Sequence, residues 1–170
     1  FVVSDGRTFS DREREDTVHR VTQSDPRSLS YRQVNTDEDG RYRITKTYTT
    51  DPARSALLVR VRFESFTRTP LRLYALYDPA LSNGGDDDAG ASEGSALVAH
   101  DAKAASALVA APGFDRTSSG YLGTSDGWTD LSADHRMDWD YDEATKGNVV
   151  QLARTSLTGR RGSRELTLAL

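Results

Sequence analysis

The run Leu57-Leu58-Val59-Arg60-Val61-Arg62-Phe63-Glu64 and its sequel Leu71-Arg72-Leu73-Tyr74-Ala75-Leu76-Tyr77-Asp78 decide the fold class. In the first run Leu57, Val59, Val61 and Phe63 alternate with Arg60, Arg62 and Glu64. After a polar break at residues 65–70 the alternation resumes, with Leu71, Leu73, Ala75 and Tyr77 opposite Arg72, Tyr74, Leu76 and Asp78. Successive strand side chains point to opposite faces, so a period of two marks strands with one buried and one wet face. A helix would scatter Arg60, Arg62 and Glu64 around its circumference. Residues 56–78 therefore read as a two-strand unit.

Working outward, the same signal recurs. Residues 1–3 and 8–10 read as short strands around an Asp5-Gly6 turn, and residues 17–23 as an edge strand. The cluster Asp11-Arg12-Glu13-Arg14-Glu15-Asp16 reads as solvated. Asp25-Pro26 is a turn, and Asp37-Glu38-Asp39-Gly40 joins strands at 29–36 and 41–50 into a hairpin with Asp-Gly punctuation. Asp51-Pro52-Ala53-Arg54 turns the chain into the central unit. The Gly- and Asp-rich segment 83–94 has no large apolar residue and is expected to be an exposed loop. Segment 95–111 is ambiguous, because its eight alanines favour helix on propensity. Its surroundings favour strands at 96–100 and 106–111 around an Asp101-Ala102-Lys103 turn. Residues 120–123 read as a short strand, 126–131 as a helical turn or a loop, and 148–157 as another strand. Gly159-Arg160-Arg161-Gly162 is the last turn, before strand-like alternation at 165–170. About ten short strands with polar turns predict an all-β, antiparallel two-sheet sandwich or a barrel.

Composition narrows the function. At 170 residues the chain is one domain, long enough to bury a core without staples. Its 36% hydrophobic content makes that core lean, and a net charge of −4 with arginines spread along strands gives no basic stripe for nucleic acid. No apolar run approaches the roughly 20 residues of a membrane helix. With no cysteine, disulfides, thiolate metal sites and cysteine nucleophiles are excluded. Both ends lie in strand-like or signal-free sequence, which reads as a fragment of a larger protein.

Few residues point to chemistry. The three histidines, His19, His100 and His135, are not at ligand spacing, and no Gly-x-Ser-x-Gly elbow is present. Asp138, Asp140 and Asp142 share one face of an extended segment, where mutual repulsion asks for solvent, arginine or a hard cation such as calcium. Glu143 and Val149 stand where a calcium loop needs Gly and Glu, so a solvated acidic face is the simpler reading, with Trp139 and Tyr141 turned into the core. Asp86-Asp87-Asp88 is a second, weaker calcium candidate. Trp128 and Trp139 could stack on sugar rings or simply pack. Glycoside hydrolysis needs two carboxylates roughly 5 to 10 Å apart, and sequence does not show which pair converges.

Longer motifs add a resemblance. Asp25-Pro26-Arg27-Ser28-Leu29-Ser30-Tyr31-Arg32-Gln33-Val34-Asn35-Thr36 is one, followed by Gly40-Arg41-Tyr42-Arg43-Ile44-Thr45-Lys46-Thr47-Tyr48 and Asp51-Pro52-Ala53-Arg54. Leu73-Tyr74-Ala75-Leu76-Tyr77-Asp78-Pro79, Ser125-Asp126-Gly127-Trp128-Thr129-Asp130-Leu131 and Gly147-Asn148-Val149-Val150-Gln151 complete it. Together they resemble the N-terminal domain of bacterial glucodextranases and glucoamylases, inverting exo-glycosidases of glycoside hydrolase family fifteen. The resemblance implies a galactose-mutarotase-like supersandwich, here without its first and last strands, packed on an (α/α)6 barrel that carries both catalytic glutamates. It implies a secreted parent acting on an α-glucan, with no catalytic residue and no cofactor in this chain. Interdomain or glycan contacts are expected at Tyr74, Tyr77, Asp78, Asn83, Asp126, Trp128 and Trp139. A carbohydrate-binding module using Trp128 or Trp139 is the rival reading, and an aldose epimerase a third, disfavoured by the scattered histidines.

Overall fold

The computed structural model describes residues 1–170. In chain order its strands are β1 (Val2–Ser4), β2 (Ser10–Arg12), β3 (Thr17–Gln23), β4 (Tyr31–Asp37), β5 (Tyr42–Asp51), β6 (Ala56–Ser65) and β7 (Leu71–Tyr77). After a short 3-10 turn at Leu81–Asn83 come β8 (Asp88–Glu93), β9 (Ala96–His100), β10 (Ala105–Ala111) and β11 (Phe114–Tyr121). Helix α1 (Gly127–Asp134) precedes β12 (Glu143–Gly147), β13 (Val149–Gly159) and β14 (Gly162–Ala169). They form two antiparallel sheets, one of five strands in the order β11-β13-β7-β1-β2 and one of nine in the order β12-β8-β9-β10-β14-β6-β5-β4-β3. The expected two-sheet sandwich is the architecture, with fourteen strands rather than about ten.

The deciding stretch keeps its strands but not its pairing. β6 lies between β5 and β14, whereas β7 lies between β1 and β13 in the other sheet. The polar break at 65–70 is a crossing from one layer to the other. Val59, Val61 and Phe63 therefore meet Leu71, Leu73 and Ala75 across the interior, in one cluster with Tyr42, Ile44 and Leu166. Each fully buried aliphatic or aromatic side chain of this kind contributes roughly 1.5–3 kcal/mol. The alternating arginines of β6 remain exposed.

β7 differs, since both its faces are covered. Tyr74, expected on the wet side, is 1% exposed and packs with Val2, Leu131, Met137 and Leu152 under α1. Asp126 makes that helix possible. Its side chain accepts hydrogen bonds from the backbone N–H groups of Trp128 and Thr129, satisfying donors that a helix start leaves orphaned. The loop before it lies directly on Gly120, where a Cβ would sit 2.0 Å from the Ser125 carbonyl oxygen. Of the two readings for 126–131 the helical one holds. The strand expected at 120–123 is instead the end of β11, and Leu122-Gly123 is a turn.

Three further expectations are corrected. Residues 88–93 of the supposed exposed loop form β8, with Asp88 1% exposed. Its small residues are needed there: a Cβ on Gly90 would lie 2.7 Å from Val149 Cγ1 of the facing sheet. Asp11 and Glu13 of the supposed solvated cluster are buried. The second N-terminal strand is Ser10–Arg12 rather than 8–10. The sheets are also tied by a polar rivet, since Gln151 Nε2 on β13 donates to the carbonyls of Ala91 and Val98 in the nine-stranded sheet.

Candidate functional site

A cavity of about 580 Å³ opens beside the N-terminal segment and strands β3, β4 and β5. Arg12, Glu13, His19, Gln33, Lys46 and Leu76 are among the residues that line it. Cross-strand register places Val21, Gln33, Lys46 and Val61 on one face, which continues the core outward into this cleft. The cleft thus carries buried charge on an extension of an apolar floor.

Each of those charges has a partner. Glu13 accepts from Lys46 Nζ at 2.8 Å and from Asn35 Nδ2. Burial raises the Glu13 pKa, but the positive charge beside it, Lys46 foremost among the side chains, together with these hydrogen bonds outweighs it and leaves the carboxyl below its ordinary range. His19 is pinned at both ring nitrogens, with Nδ1 at 2.9 Å from Asn35 Oδ1 and Nε2 at 2.9 Å from the Arg14 carbonyl oxygen. The Asn35 contact, then the Arg14 carbonyl, raises its pKa. A carboxylate already ionised and doubly bonded is a poor proton donor, and a tethered imidazole is poorly placed to shuttle protons. Alongside, Arg41 grips Asp37 through two bonds of 2.9 Å and reaches Asp11 at 2.7 Å. Burial, opposed by Arg41, pushes the Asp11 pKa up to about 6. These groups hold three elements together.

The sequence-predicted contact residues divide into two sets. Tyr74 and Asp126 are buried and structural, and the Asp126 carboxylate also accepts from Gly123 N and Thr129 Oγ1. Tyr77 is half-buried and donates to Ser106 Oγ at 2.6 Å. Asp78 and Asn83 are exposed just beyond β7. Trp128 is half-buried on α1 beneath the Arg12 guanidinium, 4.4 Å from the ring centroid, so that face is occupied by a cation. Trp139 is half-buried and Tyr141 exposed, their centroids 6.0 Å apart, so neither is turned into the core as expected.

The acidic segment follows from the same neighbourhood. Asp130, which sequence reasoning passed over, is buried and accepts from the backbone N–H groups of Asp138 and Trp139 at 2.9 Å each. Asp138, Asp140 and Asp142 are exposed, and Asp140 lies 3.6 Å from Arg116. No three His, Asp or Glu side chains come together as a metal would require. Asp88 is turned inward to accept from Leu81 N, and Asp87 pairs with Lys146.

Fold and site together define an antiparallel β-sandwich domain whose buried charges serve to hold its sheets in place. The chain belongs to the family described as glucodextranase, domain N, which matches residues 1–170. It is 36% identical over 163 residues to a glucoamylase of Clostridium sp. (strain G0005), an alignment covering 92% of this chain and 23% of that protein. It is also similar to a bacterial glucoamylase solved in complex with acarbose, at 33% identity and a TM-score of 0.89 over 98% of this chain. The chain spans only 25% of that structure's length, so these relatives are larger proteins with a further domain.

Proposed function

We propose that this chain is the non-catalytic N-terminal sandwich of a secreted, inverting α-glucan exo-hydrolase, and that it supports and docks onto an (α/α)6 catalytic barrel in the same protein. One observation carries the reading: the whole chain matches domain N while covering 25% of a glucoamylase that binds acarbose. The charge arrangement agrees, because Glu13, His19 and Asp37 are committed to partners rather than free for acid–base work. The exposed segment carrying Asp78 and Asn83 and the surface around Trp128 are the docking contacts we propose.

Incubated with maltooligosaccharides or dextran, the chain alone is expected to release no glucose. The parent protein is expected to release glucose as the β-anomer, the product of inversion at an α-linkage, seen by proton NMR. Dose-dependent release by the chain alone overturns the reading. A second reading, a carbohydrate-binding module, is favoured by the Trp139–Tyr141 pair at the surface. Calorimetry with maltose and isomaltose separates the two, since a flat titration at millimolar sugar leaves only the supporting role.

A further inference from the structure

On the outer face of the five-stranded sheet, away from the Glu13 cleft, lies a cavity of about 430 Å³ lined by Arg7, Arg72, Arg116, Arg136 and Arg154, with Tyr74 among the lining residues. Three of these arginines follow from strand register. Arg116 on β11 pairs with Arg154 on β13, which pairs with Tyr74 on β7. Arg72, two residues before Tyr74, therefore shares that face. Directly opposed strand residues have Cβ atoms about 4.5–5.5 Å apart, so these side chains crowd one patch. The other two arrive from loops. Arg136 follows the left-handed C-cap His135 of α1, and its Nε donates to the Gly6 carbonyl oxygen at 3.2 Å. Arg7 stands in the turn after β1. The Arg72 guanidinium lies against Gly6, where a Cβ would come within 2.6 Å of Nη1.

Carboxylates do not balance this concentration of charge. Asp5 and Asp138 also line the cavity, but Asp5 is spent on its own turn, accepting from Arg7 N, Thr8 N and Thr8 Oγ1. At the rim Asp115 is 3.7 Å from Arg154 and Asp140 is 3.6 Å from Arg116, beyond the roughly 2.7–2.9 Å of a strong charge-assisted bond. Arg7, Arg72 and Arg136 have no ion-pair partner, in contrast to Arg41 with its three aspartates. Burial raises the pKa of the Tyr74 hydroxyl while Arg72 and Arg154 pull it down, so cationic groups face that oxygen.

Guanidinium groups gathered in excess of closely bound carboxylates repel one another, and their planar forks match the oxygens of carboxylate and phosphate. A neutral glucan would leave this charge unanswered. We propose that the arginine cavity is a binding site for a small oxyanion, a phosphate- or carboxylate-sized group that bridges Arg72, Arg136 and Arg154. The site is separate from the supporting role proposed above and does not depend on it.

The experiment titrates the chain with inorganic phosphate by isothermal calorimetry, at low and raised sodium chloride. Saturable binding of one phosphate per chain, weakened by salt, is expected. Arg72→Gln should weaken it by about tenfold, the effect of removing one charge-assisted contact, and Arg72→Gln with Arg136→Gln should abolish it. Arg60→Gln, on the other sheet, should change nothing, and each variant is checked for an unaltered melting transition. Should Arg72→Gln not fold, Arg136→Gln alone carries the comparison. Absence of phosphate binding, or binding indifferent to these substitutions, overturns the proposal. A parallel titration of the full-length parent identifies the source: binding there too means a free anion, whereas binding only by the isolated chain means that a carboxylate of the parent already fills the site.

Discussion

Arg41 and Lys46 sit among the carboxylates of Asp11, Glu13 and Asp37, every one of them paired, whereas Arg72 and Arg136 face a cavity with no carboxylate bound to either. Both regions flank the same short strands at the start of the chain. In the first, charges were taken out of water only as complements, because an unpaired buried ion costs several kcal/mol. In the second the charges keep solvent access, and neither Arg72 nor Arg136 has a carboxylate partner. The contrast separates charge that holds the sandwich from charge that is available to something else.

The largest effect should come from breaking a pair in the first region. Lys46→Met leaves the buried Glu13 carboxylate without its side-chain ion pair, with Asn35 still donating to it, and is expected to cost about 3 kcal/mol, read as a lower urea midpoint. A loss under about 1 kcal/mol would mean the cleft is wetter than its packing implies. Next comes the helix that feeds the second region. Asp126→Ala removes the α1 N-cap and should cost about 0.5–2 kcal/mol, with faster amide exchange at Trp128 and Thr129. Because α1 delivers Arg136, phosphate affinity should fall as well, and unchanged affinity would show that the loop holds its place without the cap.

A finer test uses two aspartates on one arginine. Asp11, raised to about 6, contributes stability that is fully present below its ordinary value near 3.8 and is lost as pH rises through about 6. Asp37 is also buried, yet its bonds to Arg41 hold it below 3.8, so its contribution is present above 3.8 and lost as pH falls through its folded value. Wild type should therefore lose stability relative to Asp11→Asn between pH 4 and 6, and relative to Asp37→Asn only on acidification below about 4. Parallel melting-temperature profiles for the two variants would refute this assignment. Smallest of all, Arg72→Gln should shift stability by no more than about 0.5 kcal/mol in thermal unfolding, since its side chain holds no ion pair.

Much of the architecture was legible locally. Alternation at 57–64 and 71–77 marked strands, Asp37-Glu38-Asp39-Gly40 marked a hairpin in which Gly40 takes φ +72°, and Asp101 marked a turn that its carboxylate closes on Lys103 N and Ala104 N. The acidic cluster misled because Asp11 and Glu13 look as polar as their neighbours. Their burial depends on Arg41 and Lys46, some thirty residues away, arriving just before and on β5. Segment 83–94 misled for the opposite reason: residues too small to signal a strand are what β8 requires beneath Val149. Among the expected contact residues, Asp126 carried a readable N-cap signal, an Asp ahead of a helical turn, while the burial of Tyr74 did not show in alternation alone.

By itself the sequence determined that the chain is predominantly β, where most turns fall, and which family its motifs resemble, because these rest on side-chain periodicity and turn chemistry within a few residues. Only the tertiary structure decided that β6 and β7 belong to opposite sheets, that Glu13 is buried, and that Arg7, Arg72, Arg116, Arg136 and Arg154 meet. Partner choice between strands is a long-range property, set by which apolar faces close on one another, and a local pattern specifies a face without naming what covers it.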